Sequence, residues 1–144
     1  MSPDLLFTIC NNSILPGWFL LVFFPRWKWG SQLICPVVIP GVLGIAYVVV
    51  LISQWGRVEG SFTSLHGVET LFTNRYALLG GWIHYLAFDL FIGSWQVRDS
   101  QRIGIHHGFV VPCLILTLLF GPAGLLLYCV LRTTVRKSAF VSNT

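Results

Sequence analysis

Asp89 is an acidic residue inside an apolar run of this 144-residue chain, and His84 stands five positions before it. A carboxyl and an imidazole are the side chains best suited to give and take a proton near neutral pH. Both occur in the stretch Gly80-Gly81-Trp82-Ile83-His84-Tyr85-Leu86-Ala87-Phe88-Asp89-Leu90-Phe91-Ile92-Gly93. Five helical residues turn about 500°, a net of about 140°. His84 and Asp89 therefore do not stack on one line, but can border one cavity from two edges. Tyr85 is four residues before Asp89 and shares its face. Asn11, Asn12 and Ser13 lie at a similar depth in an earlier apolar run and can orient a bound polar group. The candidate catalytic pair is thus His84 and Asp89, with Asn11, Asn12 and Tyr85 as substrate-binding residues. A second reading stays open for each: His84 as an interior histidine tying helices together, Asp89 as a structural hydrogen-bond partner, the asparagines as interhelical glue.

Other chemistry-bearing residues have simpler readings. His106-His107 invites a metal interpretation, but His84 lies about 16 Å along the helix from the rim at Trp95, so a shared site is not expected. No metal and no cofactor are expected. Cys10, Cys35, Cys113 and Cys129 are well separated and read as small apolar packing residues. Asp99, flanked by Arg98 and Arg102, reads as a solvated rim.

The elements that must position these residues follow from composition. Hydrophobic residues make up 55% of the chain and charged residues 10%, where a soluble domain carries roughly 25% charged. Mean hydropathy is +0.76. This excludes a soluble globular enzyme, a disordered chain and a disulfide-rich mini-protein. The net charge of +4 comes from basic residues beside apolar runs, not from a stripe along a polar helix, so nucleic acid is not an expected partner.

A helix crossing a bilayer needs about 20 apolar residues. Four segments qualify, near residues 5–24, 33–54, 76–95 and 109–131. Lipid offers no hydrogen-bond partners, so each span must be helical, and the runs lack the alternation of a β-barrel. The expected fold is all-α, a membrane-spanning four-helix bundle forming one domain over residues 1–144. The N-terminal MSPDLLFTIC lacks the basic region of a signal peptide, so the first run is expected to remain as a span. Four spans place both termini on one side. Basic residues then divide five against four, and no orientation follows. Prolines and glycines in the second run, and Gly121-Pro122-Ala123-Gly124 in the fourth, predict broken helices around a cavity.

Certain residues carry a family resemblance. Leu6-Phe7, Asn11, Leu15-Pro16, Trp18 and Pro25-Arg26-Trp27, then His84-Tyr85-Leu86-Ala87-Phe88-Asp89-Leu90-Phe91, then Phe120-Gly121-Pro122-Ala123-Gly124, resemble the abscisic-acid-deficient-4-like family of small membrane proteins. The resemblance covers residues 5–131 and implies a multi-pass protein of a plastid membrane or bacterial inner membrane, linked to xanthophyll (neoxanthin) formation. It implies membrane lipid and a carotenoid or related isoprenoid ligand as partners, with a second copy or a membrane enzyme as a further associate. On that footing His84 and Asp89 are candidates for isomerising an epoxy-carotenoid, one protonating the epoxide oxygen and the other removing a carbon-bound proton. The alternative is a non-enzymatic pigment- or lipid-binding module that supports another enzyme.

Overall fold

The computed structural model describes residues 2–141, with side chains through Val135. It is all-helical among the described residues. Helix α1 (Pro3–Ser13) starts on a Ser2 side chain that accepts from the Leu5 N–H, with proline at its first position and Asp4 in its first turn. Pro16 has no N–H to continue the ladder, and the rod is interrupted at Ile14 before α2 (Leu15–Phe23). After a short turn, a π-helical segment (Gly30–Val38) carrying Pro36 runs into α3 (Ile39–Ser53). Helix α4 (Leu65–Thr73) is short. Helix α5 (Arg75–Ile103) is capped by Asn74, whose Oδ1 accepts from the Tyr76 and Ala77 N–H groups, and stops at Gly104 in the left-handed region, φ 78°. Helices α6 (His107–Phe120) and α7 (Pro122–Val141) complete the chain.

Helix α5 is the central rod and packs against every other helix. Side-chain contacts fix the directions. Arg75 pairs with Asp4, Trp82 with Asn11, and Gln101 with the Pro25 carbonyl, offsets of 71, 71 and 76 residues. A near-constant offset means that α1 and α2 run parallel to α5. The π segment and α3 run antiparallel, because Arg98 reaches the Ser31 carbonyl while Tyr47 lies against His84. The core between these rods holds Leu21, Ile83, Leu90, Val97, Val110 and Leu114, all fully buried.

Three helical stretches are long and apolar enough to cross a membrane: Pro3–Phe23, Gly30–Ser53 and Arg75–Ile103. The fourth expected span is not one continuous helix. At Gly121 (φ 31°, ψ −88°) the chain reverses, and α7 folds back along α6. A Cβ added at Gly124 would meet the Thr117 backbone N–H and lie 2.6 Å from the Cys113 carbonyl oxygen, a contact impossible across a straight helix. Tyr128 and Arg132 return to Asp99, within one turn of the α5 terminus from which α6 set out. Helix α6 has 14 residues, about 21 Å, and so stops short of a 30 Å crossing. The four-helix expectation therefore becomes three rods and a hairpin. The first residue of α1 and the end of α7 lie at opposite ends of the bundle, which corrects the expected common side.

Candidate functional site

The hairpin tip meets the carboxyl of Asp89. A Cβ at Gly121 would fall 2.8 Å from Asp89 Oδ1, so only a bare backbone lets the tip sit so close. Asp89 Oδ2 is buried and has no hydrogen-bond partner among the described residues. Tyr85, one turn earlier on the same face, donates its hydroxyl to the Leu118 carbonyl at 3.2 Å and lies within interaction range of the Asp89 carboxyl. The Tyr85 ring packs on Trp82 at 5.3 Å between centroids, and Trp82 on Phe7 at 5.7 Å. Trp82 Nε1–H donates to Asn11 Oδ1 at 3.4 Å. Trp82 is thus the join between α1 and α5.

Below this stack the hairpin no longer covers α5. A groove of about 240 Å³ lies there, lined by Phe7, Leu78, Trp82 and the Asp4–Arg75 ion pair. Asp89, Tyr85, Trp82 and Asn11 therefore belong to one face of the bundle, where α1, α5 and the hairpin tip converge.

His84 belongs to another face. It is exposed, stacks on Phe88 at 4.5 Å and approaches Tyr47 at 5.9 Å. It lines an apolar cavity of about 410 Å³ with Tyr47, Trp55, Phe62, Phe72 and Tyr76, between α3, α4 and α5. The 140° read from the helix thus separates the two groups. Asn12 is exposed and borders an outer hollow with Leu15, Pro16 and Trp27, away from Asp89. Of the five sequence candidates, Asn11, Tyr85 and Asp89 come together, and His84 and Asn12 do not.

His106 and His107 have local tasks. The His106 ring accepts from the Gly108 N–H at the start of α6, and His107 Nε2–H donates to the Val22 carbonyl at 2.9 Å.

The sequence missed one polar cluster. Asp99 is 4% exposed, not a solvated rim. Its carboxylate accepts from Arg102 at 2.7 Å, Arg132 at 2.6 Å and the fully buried Tyr128 hydroxyl at 2.9 Å. Gln96 and Thr117, both fully buried, pair at 3.0 Å one turn away. These bonds hold the hairpin to α5 and so set the height at which Gly121 meets Asp89. The one available signal was Tyr128 and Arg132, four residues apart on one helical face.

The fold and this site define a small helical protein whose long rods are apolar outside and carry polar clusters at Asp89 and Asp99. The chain belongs to the ABA DEFICIENT 4-like family, whose model matches residues 5–128. It is similar to the protein ABA DEFICIENT 4, chloroplastic, of Arabidopsis thaliana, at 26% identity over 139 residues. That alignment covers 91% of this chain and 62% of the relative, so the chain spans less than two thirds of that protein's length. No solved structure matches it.

Proposed function

We propose that the chain is a multi-pass membrane protein that takes an epoxy-carotenoid or related isoprenoid against the α1–α5 face and isomerises it at Asp89. The membrane reading is supported by the outward apolar stripe of α3: Val42, Ile45, Val49 and Ile52 are each at least 60% exposed. Water would penalise such a stripe, and acyl chains would not. Family membership supports a plastid or bacterial inner membrane as the setting, and the name of the plant relative supports the former.

The observation that carries the catalytic reading is the unpartnered Asp89 oxygen beside a backbone reversal. A carboxyl at membrane depth is a functional candidate by default, and here one of its oxygens is left without a partner. Opening an epoxide to an allenic alcohol is proton-neutral. Asp89 in its acid form protonates the epoxide oxygen, and the carbon–oxygen bond breaks. The resulting carboxylate removes a proton from the adjacent carbon, whose electron pair forms the new double bond. One carboxyl closes the cycle, and His84, on another face, is not required. Tyr85 and Asn11 orient the oxygenated ring, and the Phe7–Trp82 stack holds the apolar part.

The test is purified protein in lipid vesicles with an epoxy-carotenoid, followed by pigment chromatography. Conversion by the parent protein, lost in Asp89→Asn with the fold intact, is the expected result. Conversion unchanged in Asp89→Asn removes the proposed role. Pigment retained at fixed stoichiometry without conversion would favour the non-enzymatic binding module.

A further inference from the structure

The hairpin changes the charge count. With four crossings the basic residues divide almost evenly between the two ends. With α7 turned back, the opposite end of the bundle from α1's first residue receives Arg26 and Lys28 from the turn after α2, Arg98 and Arg102 from the last turns of α5, and Arg132, Arg136 and Lys137 from α7. That is seven of the chain's nine Lys and Arg residues, the other two being Arg57 and Arg75. Asp4, Glu59 and Glu69 lie with that minority.

We propose that this basic end is a docking face for anionic lipid headgroups of the cytoplasmic-side leaflet, and that it fixes a topology of three crossings, with α1 starting on the far side and α7 ending on the cytoplasmic side. Basic residues within short loops flanking spans set orientation, and anionic lipid attracts them. Arg26 and Lys28 are exposed and enter none of the ion pairs among the described residues, so they are available to phosphate. Beside them Trp27, Gln101, His106 and His107 line a broad surface hollow of about 840 Å³, at the level where aromatic and cationic side chains meet headgroups. Arg102 and Arg132 are bound to Asp99, and anchor the hairpin at that same level.

The proposal rests on the membrane reading above, and the experiment separates the two. Alkaline extraction of membranes from a bacterial host tests integration alone: release of the chain sinks the membrane reading. Protease treatment of intact spheroplasts then tests epitope tags placed at each terminus. The expected result is an N-terminal tag digested and a C-terminal tag protected. Two tags that behave alike restore an even number of crossings and overturn the proposal, as does the reverse pattern. In Arg26→Glu/Lys28→Glu a mixed population is expected, with both tags partly digested, while a wholly retained orientation shows that these charges do not set it. Should that variant fail to accumulate, Arg136→Gln/Lys137→Gln is the second test, with the same outcomes. Retention of the parent protein on phosphatidylglycerol vesicles more strongly than on phosphatidylcholine vesicles, reduced in the charge variants, is the headgroup readout. Equal retention overturns the lipid assignment.

Discussion

Substituting Gly124 by alanine separates the folded-back hairpin from a straight fourth helix by the sign of its effect. In a straight helix alanine is favoured over glycine by about 1 kcal/mol. In the hairpin the new methyl would meet the Thr117 N–H and Oγ1, and the Cys113 carbonyl oxygen at 2.6 Å. Two of these atoms are backbone, so no side chain can swing aside, and α6 and α7 must part. Overpacking of this kind costs about 1–3 kcal/mol. Moving Thr117 also loosens its buried bond to Gln96, worth about 1 kcal/mol. The sum is a destabilisation of about 2–4 kcal/mol, a factor of roughly 30 to 1,000 in the folding equilibrium. Thermal unfolding in detergent, followed by the tryptophan signal, measures it, and a lowered midpoint with broadened size-exclusion elution is expected. A Gly124→Ala protein as stable as the parent, or more so, would refute the folded-back geometry.

Three further outcomes follow from named contacts. Asp99→Ala strands the buried Tyr128 hydroxyl without its acceptor, at about 1–3 kcal/mol, and thermal unfolding should show it; Arg75→Ala, whose ion pair with Asp4 is exposed on both sides, should change the midpoint far less. Tyr85→Phe removes one hydrogen bond to the Leu118 carbonyl, about 1 kcal/mol, and under the proposed chemistry slows conversion more than that loss alone, as read by pigment turnover at equal folded protein. His84→Ala loses the Phe88 and Tyr47 ring contacts, about 0.5–1.5 kcal/mol, but should leave conversion in place, since the imidazole faces the other cavity; loss of turnover in a folded His84→Ala would return it to the site.

What was legible in the sequence follows from what each signal measures. Hydropathy finds apolar length, and it located the three long rods and the carboxyl within the third. It does not sense direction, so residues 109–131 read as one crossing although the chain reverses inside them. The Gly121-Pro122-Ala123-Gly124 run did signal a break. Whether a break kinks a helix or folds it back depends on the contact between Gly124 and Thr117, which is tertiary. Helical phase put Tyr85 with Asp89, but the same 140° offset also allowed His84 to border a shared cavity, whereas the imidazole faces the α3–α4 side. Phase alone did not reveal which neighbour each face would meet. Asp99 was misread because a charge near a helix end is usually hydrated, and its partners Tyr128 and Arg132 come from 29 and 33 residues downstream.

The folded-back hairpin constrains the order in which the molecule is assembled. Gly121 itself is satisfied, its N–H on the Thr117 carbonyl and its carbonyl on the Leu125 N–H, but in the proposed bilayer setting the Leu118 carbonyl takes its donor from Tyr85 of α5. Without α5 the pair α6–α7 loses that donor together with the Asp99 and Gln96 contacts. The hairpin therefore settles only against α5, stapled to it through Asp99 and Gln96, and the corner holding Asp89 forms with that docking rather than before it.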